Sequence, residues 1–272
     1  MAKASFSGKV VLVTGGNSGI GAAIAKAFAR NGATVAISGR DAKRGAEVAA
    51  AMARPGQPVE FFAVDLREPA AADRLIADVV TRLGRLDILV NNAGIHHRFG
   101  TLETTADQWI ETIAVNLNAP FFLSRAAARV MKEQGGGIIL NNASDLAFFT
   151  EVEKVSYCTS KAALAHMTKA MALDLAPHNI RVNAVAPGDT FTPLIEQKIA
   201  KLGLDIPAGK ARLAAPVPLK RLADTDEIAE AFLFLASDDA GYVTGATLSV
   251  DGGTSAAGPS ASSVPAAPST RP

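Results

Sequence analysis

The chain has 272 residues, enough for one large α/β domain but not for a second full one. Its formal net charge is +1 with 19% charged residues, so no basic surplus points to nucleic acid or a membrane surface, and the expected ligand is small. A single cysteine, Cys158, excludes an intrachain disulfide and fits a reducing compartment, with the cytoplasm as the expected location.

From the N-terminus, the segment Met1–Ser7 and the apolar run to Thr14 are too short for a signal peptide or a membrane span. Short β-branched runs then recur at Val10–Val13, Thr34–Ser38, Val59–Val64, Leu86–Val90, Ile138–Leu140, Ile180–Val185 and Thr247–Val250, separated by alanine-rich stretches with helical spacing. Runs apolar on both faces fit strands buried in a parallel sheet, so the expected fold is α/β, a doubly wound parallel sheet of about seven strands with helices on both faces. Ligands of such sheets bind beyond the C-terminal strand ends, and the polar residues of interest fall there. Gly84, Gly135–Gly137 and Pro177 mark helix ends. The stretch 189–218 reads as the least regular part, a mobile flap over the site. One domain is expected over 1–254, followed by a flexible tail over 255–272 made almost wholly of Ser, Ala, Pro and Gly.

The turn Thr14-Gly15-Gly16-Asn17-Ser18-Gly19-Ile20-Gly21 follows the first strand and opens a helix. Its glycines permit close backbone approach, and the helix start offers free N–H groups to a pyrophosphate, so a dinucleotide is the expected ligand. Gly-Lys-Ser/Thr is missing after it, which disfavours a phosphate loop. Farther on, Tyr157 and Lys161 stand one helical turn apart. An ammonium about 4 Å from a phenol supplies roughly 4 kcal/mol at an effective dielectric of about 20, nearly enough to bring the phenol from its usual value near pH 10 toward neutrality.

Thr-Gly-x-x-x-Gly-Ile-Gly at 14–21, Asn91-Asn92-Ala93-Gly94, Ser144, Tyr157-x-x-x-Lys161, Asn183 and Pro187-Gly188, in this order, resemble the short-chain dehydrogenase/reductase family over roughly Gly8 to Gly253. The resemblance implies a Rossmann-type domain, a nicotinamide cofactor, commonly a homotetramer, and a catalytic group of Asn116, Ser144, Tyr157 and Lys161. Ser144 stands thirteen residues before Tyr157, as the family pattern expects, although Asp145 and Leu146 follow it where a small-residue turn is frequent. In these roles Tyr157 exchanges a proton with an alcohol or carbonyl, Ser144 hydrogen-bonds the same oxygen, and Asn116 holds a water that reprotonates Lys161.

Expected cofactor contacts come from Gly15, Asn17, Ser18, Ile20 and Gly21; from Arg40; from Asp65 and Leu66 near the adenine; from Asn92, Ala93 and Gly94 near the ribose; from Tyr157 and Lys161; and from Pro187, Gly188, Thr190 and Thr192. NADP(H) is favoured over NAD(H): Gly39 stands where an NAD enzyme of this fold places an acid, Arg40 follows it, and Asp41 reads as the cap of the next helix. A small alcohol or carbonyl is the expected partner, with Ser144, Tyr157, His96, Leu146, Phe149 and Glu151 as substrate contacts. That mixture fits a polar hydroxy compound with an apolar portion, a sugar-like polyol or a hydroxy ester. No metal is expected, since adjacent His96 and His97 point oppositely on an extended segment. Cys158 reads as a packing residue and His166 as a packed or interface residue. Two alternatives stand beside this reading: a 3-oxoacyl carrier-protein reductase, with Arg125, Arg129 and Lys132 gripping an acidic carrier, and a catalytically silent nucleotide-binding regulator.

Overall fold

A computed structural model of the protein describes residues 5–54 and 57–257. Seven parallel strands form one sheet in the order β3-β2-β1-β4-β5-β6-β9. They are β1 (Val10–Thr14), β2 (Thr34–Gly39), β3 (Val59–Ala63), β4 (Ile88–Asn91), β5 (Gly137–Asn142), β6 (Ile180–Pro187) and β9 (Thr247–Val250). Strand order reverses between β1 and β4, so the C-terminal ends of those two strands open a crevice at the switch point.

Alternation along β1 sends side chains to two separate cores. Val11 and Val13 pack with Ile24 and Phe28 of α1 (Gly19–Arg30) and with Ile228 and Phe232 of α9 (Thr225–Ala236). Val10 and Leu12 face the other side, where α3 (Pro69–Leu83), α5 (Ala119–Glu133) and α6 (Val155–Leu175) supply Leu75, Leu123 and Met171. Each such side chain, fully buried, stabilises the fold by about 1.5–3 kcal/mol before ordering costs. A helix α2 (Ala42–Met52) follows β2, and Gly84 ends α3 in the left-handed region at φ 82°. Among the described residues, no helix is long and apolar enough to cross a membrane.

Three expectations need correction. The fourth strand begins at Ile88 rather than Leu86, because Gln134 takes the Leu86 backbone instead: Leu86 N donates to Gln134 Oε1 at 3.1 Å and Gln134 Nε2 donates to Leu86 O at 2.8 Å. The stretch 189–218 is regular rather than loose. It holds β7 (Thr190–Phe191), paired with β8 (Ala223–Asp224), then α7 (Pro193–Lys201) and α8 (Ile206–Ala214), whose N-caps are Thr192 and Asp205. Finally, a short helix α10 (Thr254–Ala257) occupies the first residues assigned to the tail, held by Ser255 N donating to Asp251 Oδ2 at 2.9 Å; residues 258–272 of that tail lie outside the described residues.

Candidate active site

Beyond the C-terminal ends of β1, β2 and β4 lies a cleft of about 660 Å³. Gly15, Asn17, Ser18, Ile20 and Gly21 line it at the start of α1, and Arg40, Asp65 and Leu66 line its far end. Asn92, Ala93, Gly94 and Thr192 close the near side. Gly15 requires its glycine: it sits at φ +64°, and a Cβ there would stand 3.0 Å from Ala93 Cα. Ser18, the N-cap of α1, makes no side-chain cap bond, which leaves the helix's first N–H groups facing the cleft. Two buried lining atoms, Ser38 Oγ and Asn142 Oδ1, have no hydrogen-bond partner among the described residues. Free donors at a helix start, glycines that keep the wall bare and unspent buried polar atoms suit a dinucleotide.

At the far end, Asp41 caps α2 by accepting from Arg44 N at 3.0 Å, and Arg40, Asp41 and Arg44 all line the cleft. Asp65 pairs with Arg67, and that hydrogen bond holds its carboxyl below the usual carboxylate range. Pro187, Gly188 and Thr190 do not line the cleft. Gly188 instead lets the chain pass Asp251, where a Cβ would meet Asp251 Cα at 2.7 Å, and Thr190 Oγ1 donates back to Gly188 O at 2.9 Å.

The inner end of the cleft is a lattice of side-chain amides and hydroxyls joining three strand ends. Thr14 Oγ1 accepts from Asn92 N and Ala93 N, both at 3.0 Å, and Asn92 Nδ2 donates to Thr14 O at 2.9 Å. Asn142 Nδ2 donates to Asn92 Oδ1 at 2.8 Å, and Asn142 O accepts from Lys161 Nζ at 2.6 Å. Lys161 is thereby fastened to the end of β5 while only 4% exposed, and burial lowers its ammonium to about 8.

Tyr157 lies one turn before Lys161 on α6, with Lys161 Nζ 5.7 Å from its ring centroid. Burial pushes the phenol up to about 12, against a hydrogen bond with Ser144 that pulls it down; the Asp145 carboxylate adds to the rise. The expectation placed an ammonium about 4 Å from the phenol; Lys161 Nζ stands 5.7 Å from the ring centroid and donates to the Asn142 carbonyl, and burial outweighs the other influences on the phenol. Ser144 Oγ donates to Asp145 Oδ1 at 3.0 Å and accepts from Leu146 N at 3.2 Å.

Asn116 is brought to the same place, beside Gly94 and Ser160. It sits in a single π-helical turn, Ala114–Asn118, between α4 (Ala106–Ile113) and α5. Its Oδ1 accepts from Ile95 N at 2.8 Å, and its Nδ2 donates to Ile95 O at 2.9 Å and Ser160 Oγ at 3.1 Å. The side chain holds the segment after β4 through both backbone groups of Ile95. Ser160, which the sequence reading passed over, completes this contact and donates to Tyr157 O at 2.7 Å.

On the substrate side, His96 packs edge-on against Tyr157 with ring centroids 4.7 Å apart, and burial lowers its imidazole to about 4. Leu146 is buried, Phe149 is half-buried, and exposed Glu151 pairs with Lys154. Cys158 is buried, as a packing residue should be. His97 turns away to Glu111, 3.1 Å distant, and no cluster of metal-ligating side chains occurs among the described residues. Arg125 and Arg129 both face Asp73, at 3.1 and 3.9 Å.

A family model described as enoyl-(acyl carrier protein) reductase matches residues 15–255. Among curated proteins, the chain is 39% identical to a 3alpha-hydroxysteroid dehydrogenase of Mediterraneibacter gnavus, over 90% of this chain and 96% of that one. It is 38% identical to a D-threitol dehydrogenase of Mycolicibacterium smegmatis, over 91% of this chain and 93% of the other. Among solved structures, a short-chain type dehydrogenase/reductase from Mycobacterium marinum superimposes with a TM-score of 0.84 at 35% identity, covering 92% of this chain and 96% of its own.

Proposed function

This chain belongs to the short-chain dehydrogenase/reductase family, and on that premise we propose that it interconverts an alcohol and a ketone or aldehyde, with Tyr157 as general acid and base. The observation that carries the proposal is the convergence of Tyr157, Ser144 and the buried Lys161 behind Gly94 and Asn142, which line the inner end of the glycine-walled cleft. In this reading the free N–H groups of α1 hold a pyrophosphate, Asn17 and Ser18 flank it, and Asp65 and Leu66 take the adenine. Asn92, Ala93 and Gly94 approach the ribose. Lys161 anchors the nicotinamide ribose. Thr192, which lines the cleft, is the residue of the segment after β6 nearest the nicotinamide end, with Pro187, Gly188 and Thr190 behind it. When bound, the oxidised nicotinamide accepts a hydride from the carbinol carbon and the reduced form returns it.

The chain's own residues handle the proton and the developing charge. Tyr157 takes the hydroxyl proton as the alcohol is oxidised and returns it as the carbonyl is reduced. Ser144 contacts the same oxygen. Asn116 acts as a positioning residue that fixes the Ile95 backbone beside Gly94. NADP(H) is the favoured cofactor over NAD(H): Arg40 and Arg44 flank the cleft where an adenosine 2′-phosphate would lie, and the nearest acid, Asp41, is occupied as a helix cap.

The substrate class that fits is a small hydroxy compound with polar and apolar parts. The likeness to the threitol dehydrogenase and the hydroxysteroid dehydrogenase supports an alcohol, and Asp145, Asp189 and Glu151 near the site disfavour an anionic one. A carrier-protein reductase is less well supported, because Arg125 and Arg129 are engaged by Asp73. Action as a homotetramer in the cytoplasm completes the proposal. The test is nicotinamide absorbance at 340 nm with both cofactors against panels of alcohols, polyols and ketones. Turnover that disappears in Tyr157→Phe is expected; a wild type that binds cofactor and turns over no alcohol or carbonyl would leave the silent regulator standing.

A further inference from the structure

Asp145 is the residue next to the hydroxyl that meets the reacting oxygen, yet the reaction as described gives it no task. It is 8% exposed, a rare burial for a carboxylate without a cationic partner. Both of its hydrogen bonds converge on one oxygen: Oδ1 accepts from Ser144 Oγ at 3.0 Å and from Leu146 N at 2.8 Å. Oδ2 has no hydrogen-bond partner among the described residues, and no salt bridge reaches the side chain. An ionised carboxylate offers about four acceptor sites, so half of this one is unspent beside the catalytic hydroxyl.

Resting on the oxidoreductase reading above, we propose that Asp145 Oδ2 accepts a hydrogen bond from a second substrate hydroxyl, on the carbon adjacent to the reacting one, and thereby selects 1,2-diols and their α-hydroxy carbonyl partners. Ser144 Oγ lies 3.0 Å from Asp145 Oδ1, which holds the other oxygen of the same carboxylate next to the hydroxyl that meets the reacting oxygen, so the two adjacent side chains can meet neighbouring oxygens of one substrate. The charge setting favours a neutral donor over an anion. Asp189 and Asp251 both act on Asp145 as like charges, and burial with that repulsion pushes its carboxyl up to about 6. A substrate without a second hydroxyl would cover that carboxylate oxygen without pairing it, which is the kind of mismatch a polar site rejects most strongly.

The experiment compares cis- and trans-cyclohexane-1,2-diol with cyclohexanol, in kcat/KM with NADP and NAD, for the wild type, Asp145→Asn and Asp145→Ala. Asparagine retains an acceptor for Ser144 and Leu146 and replaces the Oδ2 acceptor by a donor, so it changes recognition with little change in shape. The wild type should prefer at least one diol by ten-fold or more, chiefly through KM, and both variants should bring that ratio to within about three-fold of unity. Thermal melts of the three proteins separate misfolding from lost recognition, and Asp145→Asn is expected to melt with the wild type. A wild type without diol preference, or a preference unchanged in Asp145→Asn, overturns the role of Asp145 and leaves the oxidoreductase reading intact. No turnover of diol or monool by the wild type overturns both.

Discussion

A phenol held near 12 stays protonated at neutral pH, so Tyr157 is poised as a proton donor to a carbonyl and needs added positive charge before it can act as a base. Lys161 is within 5.7 Å of the ring and able to contribute, but burial and the Asn142 carbonyl compete for it. Replacing Tyr157 by Phe removes the proton and keeps the ring against His96, so kcat should fall by about 10²–10⁴ while the dissociation constant for NADP(H), measured by titration calorimetry, stays near the wild-type value. Asp145 gives a pH signature. Above about 6 it is charged and accepts from a diol; below that it is protonated and loses the preference. The diol-to-monool ratio in kcat/KM should therefore rise as pH increases through about 6 and level off above it, and in Asp145→Asn it should be flat. At the other end of the cleft, Arg40→Ala should lower the NADP-to-NAD ratio in kcat/KM by about ten-fold or more, since it removes a planar guanidinium from the 2′-phosphate position; an unchanged ratio assigns the preference elsewhere.

Elements were legible where one local rule decided them. Strands β1, β2 and β6 followed from β-branched runs because central strands buried on both faces leave no polar alternation to confuse the pattern. The helices α7 and α8 were missed although Thr192-Pro193 and Asp205-Ile206-Pro207 carry N-terminal signals, because those helices are short and their apolar faces weak. Leu86 was assigned to a strand on hydrophobicity alone; nothing local reveals that a glutamine 48 residues away takes its backbone. The same limit applied at the site. Motif spacing located Ser144, Tyr157 and Lys161, but which hydrogen bonds each would spend depended on partners remote in sequence. One such link lies behind the site: Asn91 Nδ2 donates to Asn141 Oδ1, and Asn141 Nδ2 donates to Thr168 Oγ1, each at 2.9 Å, joining β4 and β5 to α6. Thr168→Val leaves the Asn141 amide buried without its acceptor, so stability by urea unfolding should drop by about 1–3 kcal/mol.

At the scale of the whole molecule, large apolar side chains are exposed on α4 (Trp109, Ile110), on α5 (Phe121), on α9 (Phe234) and at or near the β9 edge (Tyr242, Leu248), among others. The proposed homotetramer would need two self-complementary contacts, as in assemblies with three perpendicular two-fold axes, and these helices and this edge offer apolar side chains for them. Light scattering should accordingly give about four times the 28.0 kDa chain mass, and Ile110→Lys with Tyr242→Glu should reduce it to the monomer; a monomeric wild type refutes the assembly. The π-helical turn at Ala114–Asn118 carries a different consequence, for how the chain tolerates length changes. A π turn is an α-helix that holds one residue more than its register allows. Deleting Val115 alone would bring α4 and α5 back toward a common α-helical register, although Pro120, which has no N–H, would still interrupt the hydrogen-bond ladder. Yet the deletion would swing Asn116 about 100° around the axis and release the Ile95 backbone that it grips on both sides. The irregular turn is thus an extra residue whose removal would free the Ile95 backbone that Asn116 holds beside the candidate site.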